Sequence, residues 1–432
     1  MFAREAALAL VLAAAAPQAG RDALVTTFEA AAPGEAIAVV RAGCARCAWG
    51  EDGREAAALR ILLDGKYSQH LVLARGEAPN DYRITLGAVA KGAHRLAIER
   101  DPALSARDAG PAEIASAAVE VVAHGGDDFV AQSMAPILHA RPNTVGKFTD
   151  LPILMWYEVA PTARGRQFRY SVIFTNEDGG TATDRLMATW GRTTDIEFVY
   201  LVEIDRGGRI VAEQFQGPGH EVPPFTGRHD ARHPLLWVST DNNMVSESGP
   251  TEIRYAPAPE RFDLTDVSRE AVMDRHPWSY ALASEEMKRE RKIADEGPGH
   301  NTIPDPRRFV YLEACGEVGR SALAFAVDVR GSWIASDRGL PQYRIVRDGC
   351  FRAAIPLPPG TAARDITGLR ARAFRRAAAA GQPAPPADPV RLTRVNTVFM
   401  LDEGYRPGPP LLHWRGDATL AADGPPFDLA IP

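Results

Sequence analysis

The sequence predicts a mainly β, multidomain protein: an immunoglobulin-like β-sandwich, a central β-sandwich with added helices, and a C-terminal β-sandwich. Three observations carry this expectation. Short segments of alternating apolar and polar residues recur along the chain, bounded by Gly, Pro, Asn and Asp. At 432 residues the chain is too long for one ordinary core. A hydrophobic content of 45% with 24% charged residues is that of a folded globular protein.

The chain opens Met1-Phe2-Ala3-Arg4, followed by an apolar run from Ala6 to Ala16 and the exit Pro17-Gln18-Ala19-Gly20. A basic start, a short apolar core and a small-residue exit make residues 1–20 a signal peptide, and the expected mature protein is exported, periplasmic or secreted. The run is too short to span a bilayer, and no later segment is long and apolar enough to do so. Four cysteines in an exported chain suggest two disulfides. Proximity pairs Cys44 with Cys47 and Cys315 with Cys350. Cys44-Ala45-Arg46-Cys47 also has redox or zinc spacing, but it lies between strand-like segments and has no second CxxC.

Residues 22–123 contain seven candidate strands: 24–28, 36–41, 57–63, 67–74, 82–86, 94–99 and 117–122. Asp64-Gly65 suits the tight turn of a hairpin between two of them. Such spacing is that of an immunoglobulin-like sandwich. His124-Gly125-Gly126-Asp127-Asp128 reads as a linker. The central domain, 127–305, has candidate strands at 136–140, 153–159, 168–174, 195–205, 209–215 and 235–239, and helices near 267–274 and 284–293. The second helix carries a charge run, Glu285 to Lys292, expected to be a solvated face. Residues 306–432 form the last domain, with candidate strands at 309–314, 322–329, 343–346, 352–357 and 395–401. The Ala/Pro-rich stretch 377–389 reads as a surface loop.

The net charge of −6 argues against nucleic acid or an anionic membrane as partner. No phosphate loop, Gly-x-Ser-x-Gly elbow or His-Glu-x-x-His helix is present. The segment Asp195 to Asp205 offers the candidate site. Alternation puts Ile196, Phe198, Tyr200, Val202 and Ile204 on a core face and Asp195, Glu197, Val199, Leu201, Glu203 and Asp205 on the other. Asp195 and Glu197 are two residues apart, so their carboxylates can converge on a divalent cation such as Ca²⁺. His220-Glu221, His229-Asp230, His233 and Asp241-Asn242-Asn243 follow on strand ends and loops, which gather on sandwich rims. The expected metal set is Asp195, Glu197, His220 and Asp241. The competing reading is a solvated strand face with ordinary turn residues.

From about Ser133 to Gly249 the chain resembles the fungal vacuolar protein sorting family numbered sixty-two and its plant relatives of unknown function. The residues that carry this are Asp195-Ile196-Glu197, Asp205-Arg206-Gly207-Gly208, His220, and His233-Pro234-Leu235-Leu236-Trp237-Val238 leading to Asn242 and Gly249. Ile196 departs from the family's Trp, and Asn243-Met244 from its Gly-His. A fainter similarity reaches the necrosis-inducing secreted proteins of plant pathogens. It implies a divalent cation at Asp195 and Glu197, although Thr193-Thr194 stands where those proteins have a histidine pair.

Three functions fit these features. The first is binding of a surface or extracellular glycan, with aromatic rings on sugar faces, carboxylates on hydroxyls and a cation assisting. The second is a metal-assisted hydrolase or lyase acting on polysaccharide, with Asp195 and Glu197 as metal ligand or acid/base and His220 as proton carrier. The third is a structural envelope protein with no catalytic role.

Overall fold

The computed structural model describes residues 22–177, 179–377 and 385–432. The signal segment, and most of the Ala/Pro-rich stretch, lie outside the described residues. The protein is mainly β, with 46% strand against 11% helix.

The chain divides into two compact units. The first comprises residues up to Phe174 together with Ile196–Arg261, and the second comprises Thr175–Asp195 with Phe262–Pro432. The expected boundary at residue 305 therefore falls inside the second unit, which also takes in residues 262–305 and the insert 175–195.

In the first unit, all seven expected N-terminal segments form strands. They make one sheet of Ala23–Ala30, Gly92–Asp101, Ala58–Leu63 and Lys66–Val72, and another of Asn80–Val89, Gly34–Cys44 and Ala112–Ala123. Leu63 pairs with Lys66 across the Asp64-Gly65 turn, where both residues have positive φ (50° and 76°). That is the backbone of a two-residue primed hairpin turn, which Asp-Gly adopts readily.

The same unit holds the central sandwich. One sheet runs Ile210–Phe215, Asp195–Asp205, Gly165–Phe174, Pro152–Pro161 and Glu260–Arg261; the other is built on Ile137–His139 and His233–Val238. Met155, Phe168, Tyr170, Val202, Leu236 and Val238 from both sheets share one core. The expected linker at 124–128 instead runs into a helix, Gly126–Ser133, whose Val130 and Ala131 enter that core. Apolar residues four and five places beyond the second glycine are enough to anchor so short a helix once a sheet lies beneath it.

The second unit contains the C-terminal sandwich. Its sheets are Gly349–Pro356, Phe309–Glu317, Val390–Phe399, Trp414–Leu420 and Ser332–Ala335, Ser321–Val329, Ile366–Arg375, Phe427–Ala430. Leu312, Phe325, Phe351, Leu369 and Val398 meet between them. Tyr343–Val346 forms no strand; a 3₁₀ turn, Pro341–Tyr343, precedes an isolated bridge at Ile345. The helix expected at 284–293 runs from Trp278 to Arg289, and its charge run is not wholly solvated. Glu286 is fully buried and accepts a hydrogen bond from Thr175 Oγ1 at 3.2 Å, because it points to the packed side of the helix. An unexpected helix, Thr183–Trp190, ends on Gly191 at φ 61°. A Cβ there would lie 2.6 Å from Arg352 Cγ, so glycine both ends the helix and admits Arg352. Cys44 is bonded to Cys47, and Cys315 to Cys350, its direct cross-strand partner.

Candidate functional site

The strand Asp195–Asp205 forms with the expected bounds, but its faces do not alternate as expected. Val199 and Tyr200, consecutive residues, both enter the central core. Phe198 is only half-buried and lies under the Arg169 guanidinium at 4.5 Å. The alternation breaks between these positions, so Phe198 leaves the face on which Tyr200, Val202 and Ile204 lie.

The two expected ligands also have different surroundings. Asp195 belongs to the second unit and is 1% exposed, so it is not part of a solvated face. Arg192 lies 3.8 Å away and also pairs with buried Glu270 at 3.2 Å. Burial, and then the negative charge of Asp195, pushes the Glu177 carboxyl up to about 7. The sign follows from linkage. A carboxyl that holds its proton more tightly when folded makes stability fall as pH rises from about 4.5 through about 7. Glu177→Gln should remove that slope and raise stability at pH 8 by about 2 kcal/mol. Chemical denaturation at pH 5 and pH 8 measures it; parallel wild-type and mutant curves would contradict it.

Glu197 belongs to the first unit and sits in a different setting. The buried Gln216 amide donates from Nε2 to Glu197 Oε2 at 2.7 Å and to His220 Nδ1 at 2.9 Å. The same nitrogen contacts Met244 Sδ at 3.2 Å. His220 is exposed, on the turn after Gly217-Pro218-Gly219, with φ 62°. With the amide nitrogen turned to Nδ1, the matching tautomer of the ring accepts there and carries its N–H on Nε2. The rim thus displays a carboxylate acceptor and an imidazole N–H donor, both positioned by one buried amide.

Asp241 is drawn elsewhere. Its carboxylate pairs with Arg141, which also donates to the buried Asp150 at 2.5 Å. Asn243 Nδ2 donates to the other Asp150 oxygen at 3.2 Å. This network holds the loop that delivers Met244 to Gln216. His229 pairs with Glu213 at 2.8 Å, Asp230 with Arg254 at 3.1 Å, and His233 with Glu35 at 2.9 Å. Of the expected set, Glu197 and His220 share Gln216, whereas Asp195 and Asp241 are taken by Arg192 and Arg141. Among the described residues no group of three or more His, Cys, Asp or Glu side chains is placed to hold a metal ion. Sequence reasoning missed Gln216, Arg141 and Asp150. The one local signal was the position of Gln216 at a strand end, directly before Gly217-Pro218-Gly219.

Fold and rim together define a multidomain β-sandwich protein with a polar hydrogen-bonding rim. No family model matches the chain, and no curated protein does. Among solved structures, it is similar to NLPPya in complex with mannosamine (10% identity, 32% of this chain and 75% of that one, TM-score 0.24). It is also similar to a ruminal GH26 endo-β-1,4-mannanase (11% identity, 33% and 28%, TM-score 0.19). A third is the tandem CBM51 modules of a family 98 glycoside hydrolase from Streptococcus pneumoniae (10% identity, 78% and 73%, TM-score 0.16). Likenesses this low carry no argument about fold or function.

Proposed function

We propose that this chain is an exported protein that binds a neutral glycan at the rim of its central sandwich, through Glu197 and His220. The observation that carries this is the Gln216 amide, which holds an acceptor and a donor side by side. A sugar hydroxyl both donates and accepts, so a vicinal pair of hydroxyls matches Glu197 and His220 Nε2–H together. Two disulfides and the expected signal at residues 1–20 support export.

Calcium enters this reading as an accessory only. For a cation to bridge Glu197 and His220, Gln216 must turn its carbonyl oxygen inward, because an N–H now points at both. Ca²⁺ alone is expected to leave the melting temperature unchanged. A rise that Glu197→Gln removes would replace the hydrogen-bonded rim with a metal centre.

Titration calorimetry with soluble mannan, xylan and laminarin tests the binding. At least one should bind, and Glu197→Gln and His220→Ala should each weaken it about tenfold, the effect of losing one hydrogen bond to a charged or polar partner. Gln216→Leu should weaken it as well, and nitrogen-15 spectra should show that the His220 ring loses its single Nε2–H tautomer. Cleavage of any of these polysaccharides by the wild type, lost in His220→Ala, would turn the reading from binding to catalysis. Equal affinities across all three variants would place the site elsewhere.

A further inference from the structure

The strand Ile366–Arg375 turns Leu369, Ala371 and Ala373 into the core of the C-terminal sandwich. Gly368, Arg370, Arg372 and Phe374 therefore lie on the opposite face. Asp328 stands opposite both Gly368 and Trp333, so Trp333 joins that face from the edge strand Ser332–Ala335. A Cβ on Gly368 would lie 3.1 Å from Trp333 Cη2, so the indole extends over the glycine. The Arg370 guanidinium sits 3.9 Å from the indole centroid. Even with that cover, Trp333 is 38% exposed. Arg370 is fixed by a two-pronged pair with Asp428, both contacts at 2.7 Å, and Asp428 remains open to solvent.

Arg372 is the next side chain along the same face, about 7 Å on at the rise of a strand. It is exposed, and it forms no ion pair among the described residues. Its guanidinium lies 5.2 Å from the Phe374 ring, whose other neighbour, Arg344, is 3.6 Å away and paired with Asp337.

We infer that this face is a second carbohydrate site, built for an acidic polysaccharide. Trp333 supplies an aromatic surface for the C–H groups of a pyranose. The Arg370–Asp428 pair supplies a fixed donor and acceptor for its hydroxyls. Arg372, a guanidinium with no carboxylate of its own, takes the carboxylate of a uronate. The inference does not rest on the Glu197 rim, where a carboxylate disfavours a uronate.

Titration calorimetry of the full chain with polygalacturonate and alginate, against neutral mannan, tests it. Wild type should bind at least one of the two acidic polymers. Trp333→Ala should weaken that binding at least about tenfold, as expected for loss of a central aromatic contact. Arg372→Gln, at an exposed position that leaves the fold intact, should weaken it severalfold and make it less sensitive to salt. Glu197→Gln should leave it unchanged, which separates this site from the rim. No binding of either acidic polymer, or binding that both Trp333→Ala and Arg372→Gln retain at full affinity, would overturn the inference.

Discussion

Replacing Arg352 with Ala should lower the thermal midpoint by roughly 10 °C, the equivalent of about 3–5 kcal/mol in a unit of this size. Arg352 is fully buried on the strand Gly349–Pro356. It grips Asp274 with both terminal nitrogens, at 2.7 and 2.5 Å, donates to Glu313 at 3.0 Å and meets the Tyr280 hydroxyl at 2.5 Å. Glu313 is itself buried and also accepts from Ser268 and Asn396. Removing the guanidinium leaves a buried carboxylate with no cation, and that uncompensated charge dominates the loss. Arg391→Ala is the control. Its pair with Asp417 is solvent-exposed and should contribute about 0–1 kcal/mol. Calorimetric melts of the two variants compare them directly. Similar midpoints would show that the Arg352 network contributes no more than a surface pair.

His233→Ala should destabilise the first unit by a similar amount, about 3–5 kcal/mol, and only at low pH in full. His233 and Glu35 are both buried, and their side chains meet at 2.9 Å, joining the central strand His233–Val238 to the N-terminal strand Gly34–Cys44. The other ring nitrogen lies 2.8 Å from the Ala135 carbonyl, so a ring that serves both acceptors is protonated on both nitrogens. Burial alone would push the His233 pKa down; the Glu35 carboxylate and the Ala135 carbonyl outweigh it, and the pKa is raised above 6.5. A raised histidine pKa gives stability that is complete below the unfolded value and lost as pH rises through the folded one. The gap between wild type and His233→Ala should therefore be widest below pH 6.5 and shrink above the folded pKa of His233. Denaturant titrations across pH 5.5–9 measure it. A constant gap would mean that the imidazole is held neutral throughout.

Much of the architecture was legible before any tertiary information. The N-terminal strands were marked by period-two alternation and punctuated by turn residues, and Asp64-Gly65 forms its turn for local conformational reasons. The missed elements had weak local patterns. Ile366–Arg375 buries only small or single apolar residues between arginines, so its alternation is faint in sequence although its register is firm in the sheet. Gly126–Ser133 and Thr183–Trp190 are eight residues each, too short to form without packing.

The site divides in the same way. Sequence alone determined that carboxylates lie two residues apart on one strand, that histidines and asparagines follow on strand ends, and that the cysteines pair locally. Only the tertiary structure decided which of these groups meet. Asp195 turns to Arg192, Asp241 to Arg141 and His233 to Glu35, while Glu197 and His220 come together through a glutamine that no motif marked. The reason is physical. Strand faces and tight turns are set by backbone geometry within a few residues, whereas a buried charge takes whatever partner the packing of distant segments brings within reach.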